Sequence, residues 1–274
     1  MNESRSAADR STAAGGLLKQ PAMVLALLAL QFVVMGGGLA LFDVDYNSST
    51  DLARMWLPLS LTAIVFIVAT TRLQDPAEIG LQRPRPRSYW WIALLLATLT
   101  LIPLVRMVNA ISALPEDQSI SGGLVVKTLL AVAIVGFTEE WMFRGLLLTF
   151  LSRRFGLRNG VIISTVGFGL FHAVNVFGGH SASDTAGQVA ATTLLGLVFA
   201  MSGLGIRSIV PLMVIHAVYD FFIVTSEQLI ELGSNPSSAA IENVLTFVGL
   251  ATMVAAAVLL FRTPSGDEEP YLTS

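Results

Sequence analysis

There is no cysteine in this chain, so disulfides, thiolate-bound metals and a cysteine nucleophile are all excluded. Charge is scarce as well. Asp, Glu, Lys and Arg make up 13% of the residues, against about 25% in a typical soluble domain. That is too little to coat a globule of 274 residues. Histidine occurs only three times. Nor is there a surplus of basic charge for holding nucleic acid, because the net charge is −3 and the pI about 5.6. What fills the sequence instead is apolar: 54% of the residues are hydrophobic and the mean hydropathy is +0.71. The solvent for most of the surface must therefore be lipid.

A helix needs ~20 apolar residues to cross the hydrocarbon core of a bilayer. Eight runs approach that length: Pro21 to Phe42, Met55 to Thr71, Tyr89 to Val108, Leu124 to Leu151, Val161 to Phe177, Gln188 to Ser202, Ile209 to Val224, and Val244 to Phe261. The fourth is overlong and holds charges. Several others are short, so a broken or re-entrant helix is expected near Gly203 and Gly205. The fold class expected is all-α, a polytopic membrane protein of about eight transmembrane helices. Residues 1–20 are polar and small, without the short apolar core and cleavage site of a signal peptide, and read as a disordered cytoplasmic tail. Residues 263–274 read the same way, which leaves 21–262 as one membrane domain without an internal repeat.

Orientation follows from Lys and Arg, which concentrate in cytoplasmic loops. With the N-terminus inside, that side holds Arg5, Arg10, Lys19, Arg72, Arg83, Arg85, Arg87, Arg153, Arg154, Arg158, Arg207 and Arg262, with Arg144 nearby. The opposite side keeps Arg54, Arg106 and Lys127 and carries the acids, among them Asp184, Glu227 and Glu231. Both termini are then cytoplasmic, which suits an even number of spans. The basic run Arg83-Pro84-Arg85-Pro86-Arg87 reads as a topology anchor that also meets anionic membrane lipid.

Ionisable groups at membrane depth cost about 2.5–3.5 kcal/mol each on insertion scales and mark function by default. Three spans hold them. The fourth contains Glu139-Glu140-Trp141-Met142-Phe143-Arg144, the fifth Phe168 to His172, the seventh His216 to Asp220. At a rise of 1.5 Å per residue, Glu139, His172, His216 and Asp220 lie roughly 10–18 Å from the arginine-rich ends of their helices. These helices alternate in direction, so spacing along the chain does not impose that shared level. Glu140 and Arg144 are i, i+4 on one helix face and can pair, which leaves Glu139 to face a cavity. His216 and Asp220 share the same spacing. His180, after Gly178-Gly179, reads as a solvated loop residue.

A peptidase without a Ser or Cys nucleophile must activate water. Glu139 and His172 suit proton removal. His216 and Asp220 suit oxyanion support, or His216 completes with Glu139 and His172 a candidate zinc site of one carboxylate and two imidazoles. A purely structural account would make Glu139, Glu140 and Arg144 a boundary ion cluster and His216 with Asp220 an interhelical clamp.

The ordered set E-E-x-x-x-R, F-x-x-x-H and H-x-x-x-D on successive membrane helices resembles the CPBP family. Its members are the type II CAAX prenyl endopeptidases and the bacteriocin-processing or self-immunity proteins of bacteria. The resemblance covers 124–224. It implies an eight-helix fold with a catalytic cavity open to the cytoplasm, seated here in a bacterial plasma membrane. It implies that Glu139 activates water, that Glu140 and Arg144 support it, and that His172 shares in water activation or metal binding. It further implies that His216 and Asp220 complete the site. Asp220 stands where many members carry Asn. The activity implied is that of an intramembrane metallo- or glutamate-dependent endopeptidase. Its partner would be a peptide or lipidated-protein substrate. Two other classes place charge at this depth: an ion- or proton-coupled transporter, and a non-catalytic immunity or binding protein that keeps the fold. Oligomeric state is not written in these motifs.

Overall fold

A computed structural model of the chain describes residues 21–262, apart from 43, 45–47, 49–50, 52–54 and 237–238, together with Pro270 and Tyr271. The expected tail at 1–20 lies outside the described residues. Among those described there is no strand; the chain is helical, and each of the eight apolar runs falls on helix. The elements are α1 (Pro21–Leu41), α2 (Trp56–Leu73), α3 (Trp91–Leu99), α4 (Leu101–Ser112), α5 (Gly122–Glu139), a π-helical segment (Glu140–Leu147) and α6 (Leu148–Phe155). They continue with α7 (Leu157–Phe171), a 3-10 segment (His172–Gly178), α8 (Ala182–Ile206), α9 (Val210–Glu231) and α10 (Ala239–Arg262). Six of the resulting helices are long and apolar enough to cross a membrane, and two more, Pro58–Ala69 and Phe247–Arg262, are shorter and apolar. Large apolar side chains such as Leu25, Val33, Leu61, Val214, Phe247 and Phe261 stand exposed on this bundle. In water such a surface would aggregate; in a bilayer it is the lipid contact. The protein is an integral membrane protein.

Local chemistry explains the breaks. Pro103 has no N–H and its ring clashes with the carbonyl four residues back. The third span accordingly turns at Thr100, between α3 and α4. Ser121 and Ser181 cap α5 and α8, each side-chain oxygen accepting a backbone N–H, from Leu124 and Asp184. Gly156, at φ 80°, reverses the chain between α6 and α7. The overlong fourth span is confirmed as helix from Gly122 to Phe155.

The break expected at Gly203 and Gly205 is absent: α8 runs unbroken from Ala182 to Ile206. Both glycines serve packing instead. The backbone N–H groups of Arg85 and Arg87 donate to the carbonyls of Ile206 and Gly205, each at 2.7 Å, and so satisfy helix-end acceptors that would otherwise be orphaned. A Cβ at Gly205 would lie 2.9 Å from the Tyr89 carbonyl oxygen, so only glycine admits that approach. The basic run is thus also a structural cap. A second correction concerns the C-terminal stretch. Pro270 and Tyr271 are buried, and Tyr271 is 0% exposed. Its hydroxyl donates to the Arg144 carbonyl at 2.7 Å, and its own carbonyl accepts from Gln82 at 3.0 Å. At those two positions the chain is packed, not a solvated tail.

The most extensive helix pairings are α5 with α9, α7 with α8, α6 with α7, and α4 with α9. Gly136 sets the first. A Cβ there would come within 2.8 Å of the Met213 carbonyl oxygen and 2.9 Å of the Ala217 nitrogen. The close approach of α5 to α9 carries Glu139 and Glu140 up against His216. Gly136→Ala is expected to lower the thermal midpoint of the detergent-solubilised protein, because overpacking of this kind costs about 1–3 kcal/mol. Gly123→Ala, where an added Cβ meets nothing within 4 Å, should leave that midpoint in place.

Candidate active site

The E-E-x-x-x-R motif straddles a change of helix type. Glu139 is the last residue of α5 and Glu140 the first of the π-helical segment. A π turn holds more residues than an α turn, so neighbouring side chains point more nearly the same way. Such turns are rare inside α-helices and concentrate at functional sites. Here Glu140 to Leu147 are all buried, and Glu139 is 3% exposed. Charges at that depth must find partners within the protein.

They find them in a connected chain. An Arg144 guanidinium nitrogen (Nη1) lies 2.9 Å from Glu140 Oε1, and the second (Nη2) reaches the Gly196 carbonyl at 3.4 Å. The guanidinium carbon lies 3.9 Å from the centre of the Phe168 ring and 5.2 Å from that of Phe199. The cation is therefore held by a carboxylate at its edge and aromatic faces beside its plane. The same Glu140 Oε1 meets His216 Nδ1 at 2.8 Å. The other ring nitrogen, Nε2, lies 3.4 Å from Asp220 Oδ2 and 3.8 Å from Glu139 Oε2. Glu140 makes the shorter contact, and Asp220 sits at the cavity end of the ring. A Cβ at Gly196 would lie 3.2 Å from the guanidinium, so glycine on α8 makes room for Arg144.

His172 follows the last residue of α7 and opens the 3-10 segment. Its Nδ1 lies 3.0 Å from the Phe168 carbonyl oxygen. A carbonyl only accepts, so Nδ1 carries the proton, and the neutral ring presents an Nε2 lone pair. The F-x-x-x-H motif thereby acquires a physical meaning: Phe168 supplies the carbonyl that fixes the tautomer and the ring that covers Arg144. His172 also packs edge-on to the Phe168 ring, with centroids 5.0 Å apart.

Glu139, His172, His216 and Asp220 all line one cavity of about 450 Å³. Glu140 and Arg144 do not reach it and stand behind His216. Glu139 Oε2 is buried and has no hydrogen-bond partner among the described residues. His180, read from sequence as a solvated loop residue, lines the cavity as well, together with Asn175, Gln188 and Glu227. Asn175 donates to Gln188 at 2.7 Å. Sequence reasoning missed this polar group. A polar Gln in the second turn of an apolar span was the one signal available.

The candidate zinc set of Glu139, His172 and His216 is not gathered as a metal requires. Among the described residues no three His, Asp or Glu side chains are grouped so as to hold an ion. His172 alone has the usual ligand form, with one nitrogen fixed by a carbonyl and the other free. Both nitrogens of His216 face carboxylates.

Against known proteins, the family model described as "Type II CAAX prenyl endopeptidase Rce1-like" matches residues 121–222. No curated protein matches the chain, and no solved structure does. The matched segment starts at the Ser121 cap of α5 and ends just beyond Asp220, so it contains all three motifs. Over residues 121–222 the chain is similar to the Rce1-like type II CAAX prenyl endopeptidases, and the three motifs lie inside that similarity.

Proposed function

We propose that the chain is an intramembrane endopeptidase in which Glu139 activates a water molecule against a peptide bond of a membrane-associated substrate. The observation that carries the reading is the Glu139 carboxylate: 3% exposed, without a hydrogen-bond partner at Oε2, and 3.8 Å from His216 at one end of the cavity. A buried carboxylate left unpartnered costs stability, so it is kept for a ligand or a reaction.

The reaction needs one water and returns every proton. Glu139 takes a proton from the water while the His172 Nε2 lone pair accepts its other hydrogen, which orients the oxygen. That oxygen bonds to the scissile carbonyl carbon, and negative charge moves onto the carbonyl oxygen. Protonated His216, with Nδ1–H on Glu140, offers Nε2–H to that oxyanion. Glu139 then passes its proton to the amide nitrogen, the C–N bond breaks, and a carboxylic acid and an amine leave, the acid's proton ending on the amine. No step is routed through a metal, because among the described residues no three His, Asp or Glu side chains are grouped to hold one.

Two experiments separate the roles. Glu139→Gln should lower kcat at least about 10²-fold, the low end for loss of a general base, and should raise the thermal midpoint, since the buried unpartnered charge is removed. Arg144→Ala should instead cost about 3–5 kcal/mol of stability, as removal of one partner of a buried pair does. Wild-type turnover by the purified Glu139→Gln protein would overturn Glu139 as the water-activating base.

The metal question has its own measurement. Hydrolysis should persist after exhaustive chelation, with no stoichiometric zinc by elemental analysis. Loss of activity restored by added zinc would replace Glu139 as sole activator.

A further inference from the structure

At the end of the π segment the backbone ladder passes over one carbonyl. The Leu148 N–H donates to the carbonyls of Phe143 and Gly145, whereas in an α-helix it would donate to that of Arg144, four residues back. Arg144 is buried, and a buried carbonyl left without a donor costs free energy. The donor comes from far along the chain: the Tyr271 hydroxyl lies 2.7 Å from the Arg144 carbonyl oxygen.

Tyr271 is held there from three sides. Its ring lies against the turn at Gly80, where an added Cβ would come within 3.1 Å of two ring carbons. Its hydroxyl lies beside Gly203 of α8, where an added Cβ would be 3.4 Å away. Its carbonyl accepts from Gln82 Nε2 at 3.0 Å, and the same nitrogen donates to the Arg207 carbonyl at 2.9 Å. A phenylalanine ring would fill this space equally well, so the hydroxyl contributes the hydrogen bond alone. Tyr271 does not line the cavity, and it stands outside the segment 121–222 that resembles the prenyl endopeptidases.

The path from the Arg144 backbone to the cavity is short. The Arg144 guanidinium holds Glu140 Oε1 at 2.9 Å, and the same oxygen meets His216 Nδ1 at 2.8 Å. A shift of the backbone at 144 therefore moves the carboxylate that sets the direction of the imidazole.

We propose that Tyr271 is a positioning residue for the site: its hydroxyl holds the backbone of the π turn at Arg144 and so fixes the angle at which His216 faces the cavity. That this governs turnover rests on the peptidase reading; the coupling of Tyr271 to His216 does not. Tyr271 touches no reacting group and acts through Arg144 and Glu140. Seating of its side chain and alignment of the site are then one event.

The chain has only three histidines, so a nitrogen NMR spectrum of the full-length protein labelled at histidine alone is simple to read. Each ring is assigned by its own substitution in a separate sample. Tyr271→Phe keeps the ring and removes the hydroxyl. Gln82→Leu keeps the hydroxyl and releases the Tyr271 carbonyl. The thermal midpoint checks that each variant is folded, and either one suffices if the other is not. Both are expected to move the ring-nitrogen signals of His216 and to leave those of His180 in place. Tyr271→Phe should also lower kcat about 10-fold, the size of one lost hydrogen bond, with KM unchanged because the residue is not on the cavity wall. A midpoint that falls while the His216 signals and kcat stay at wild type marks a purely structural plug and overturns the proposal. The spectrum does not depend on turnover. Shifted His216 signals in a protein whose wild type hydrolyses nothing would sink the peptidase reading and leave the positioning role standing.

Discussion

Arg144 and Glu140 form an ion pair with almost no access to solvent, and the rest of the site is arranged around that fact. Taking two charges out of water costs several kcal/mol per ion even after relaxation. The pair recovers part of this through the 2.9 Å contact, the ring faces of Phe168 and Phe199 and the Gly196 carbonyl. Each of those partners comes from a different helix than the pair itself. The ion pair thus joins the π segment to α7 and α8, and the Glu140 contact to His216 joins it to α9. Fold and site share one set of bonds. This is why the two glutamates divide their labour: one oxygen of Glu140 is committed to both Arg144 and His216 away from the cavity, and Glu139 is the one that lines it.

Much of this was legible in the sequence. An all-α membrane fold follows from hydropathy because a backbone in lipid must satisfy its own hydrogen bonds. The pairing of Glu140 with Arg144 follows from i, i+4 geometry, and the common depth of Glu139, His172 and His216 follows from counting residues. Contacts across helices were not legible. Nothing in the spacing of His216 says that Glu140, 76 residues away, would hold its Nδ1. Nothing in Tyr271 says that its hydroxyl would reach the Arg144 carbonyl, 127 residues back. The misreading of Gly203 and Gly205 has the same origin. Glycine signals a break when read alone, yet here it marks where the Tyr89 carbonyl presses on α8.

His172 shows how a one-dimensional motif gains meaning only in three. The spacing F-x-x-x-H could reflect simple helix packing. In the folded protein, Phe168 fixes the histidine's tautomer through its carbonyl and covers the arginine through its ring. One residue thereby connects the structural cation to the reactive imidazole. A change of side chain at 168 would disturb the first function little, because the carbonyl belongs to the backbone, and the second a great deal.

The π segment carries a consequence for how such a site could arise. A π turn is equivalent to one residue inserted into an α-helix, with the ladder stretched to absorb it. Excising a single residue between Arg144 and Leu147 would restore α geometry and leave the register of the flanking α-helical turns in place, because the π turn absorbs its extra residue locally. The helix would still span and still look apolar, yet the wider turn that brings the buried side chains from Glu140 to Leu147 more nearly onto one side would be lost. Membrane insertion would be the same in both geometries, so the wider turn answers to the packing of the buried polar site and not to the bilayer.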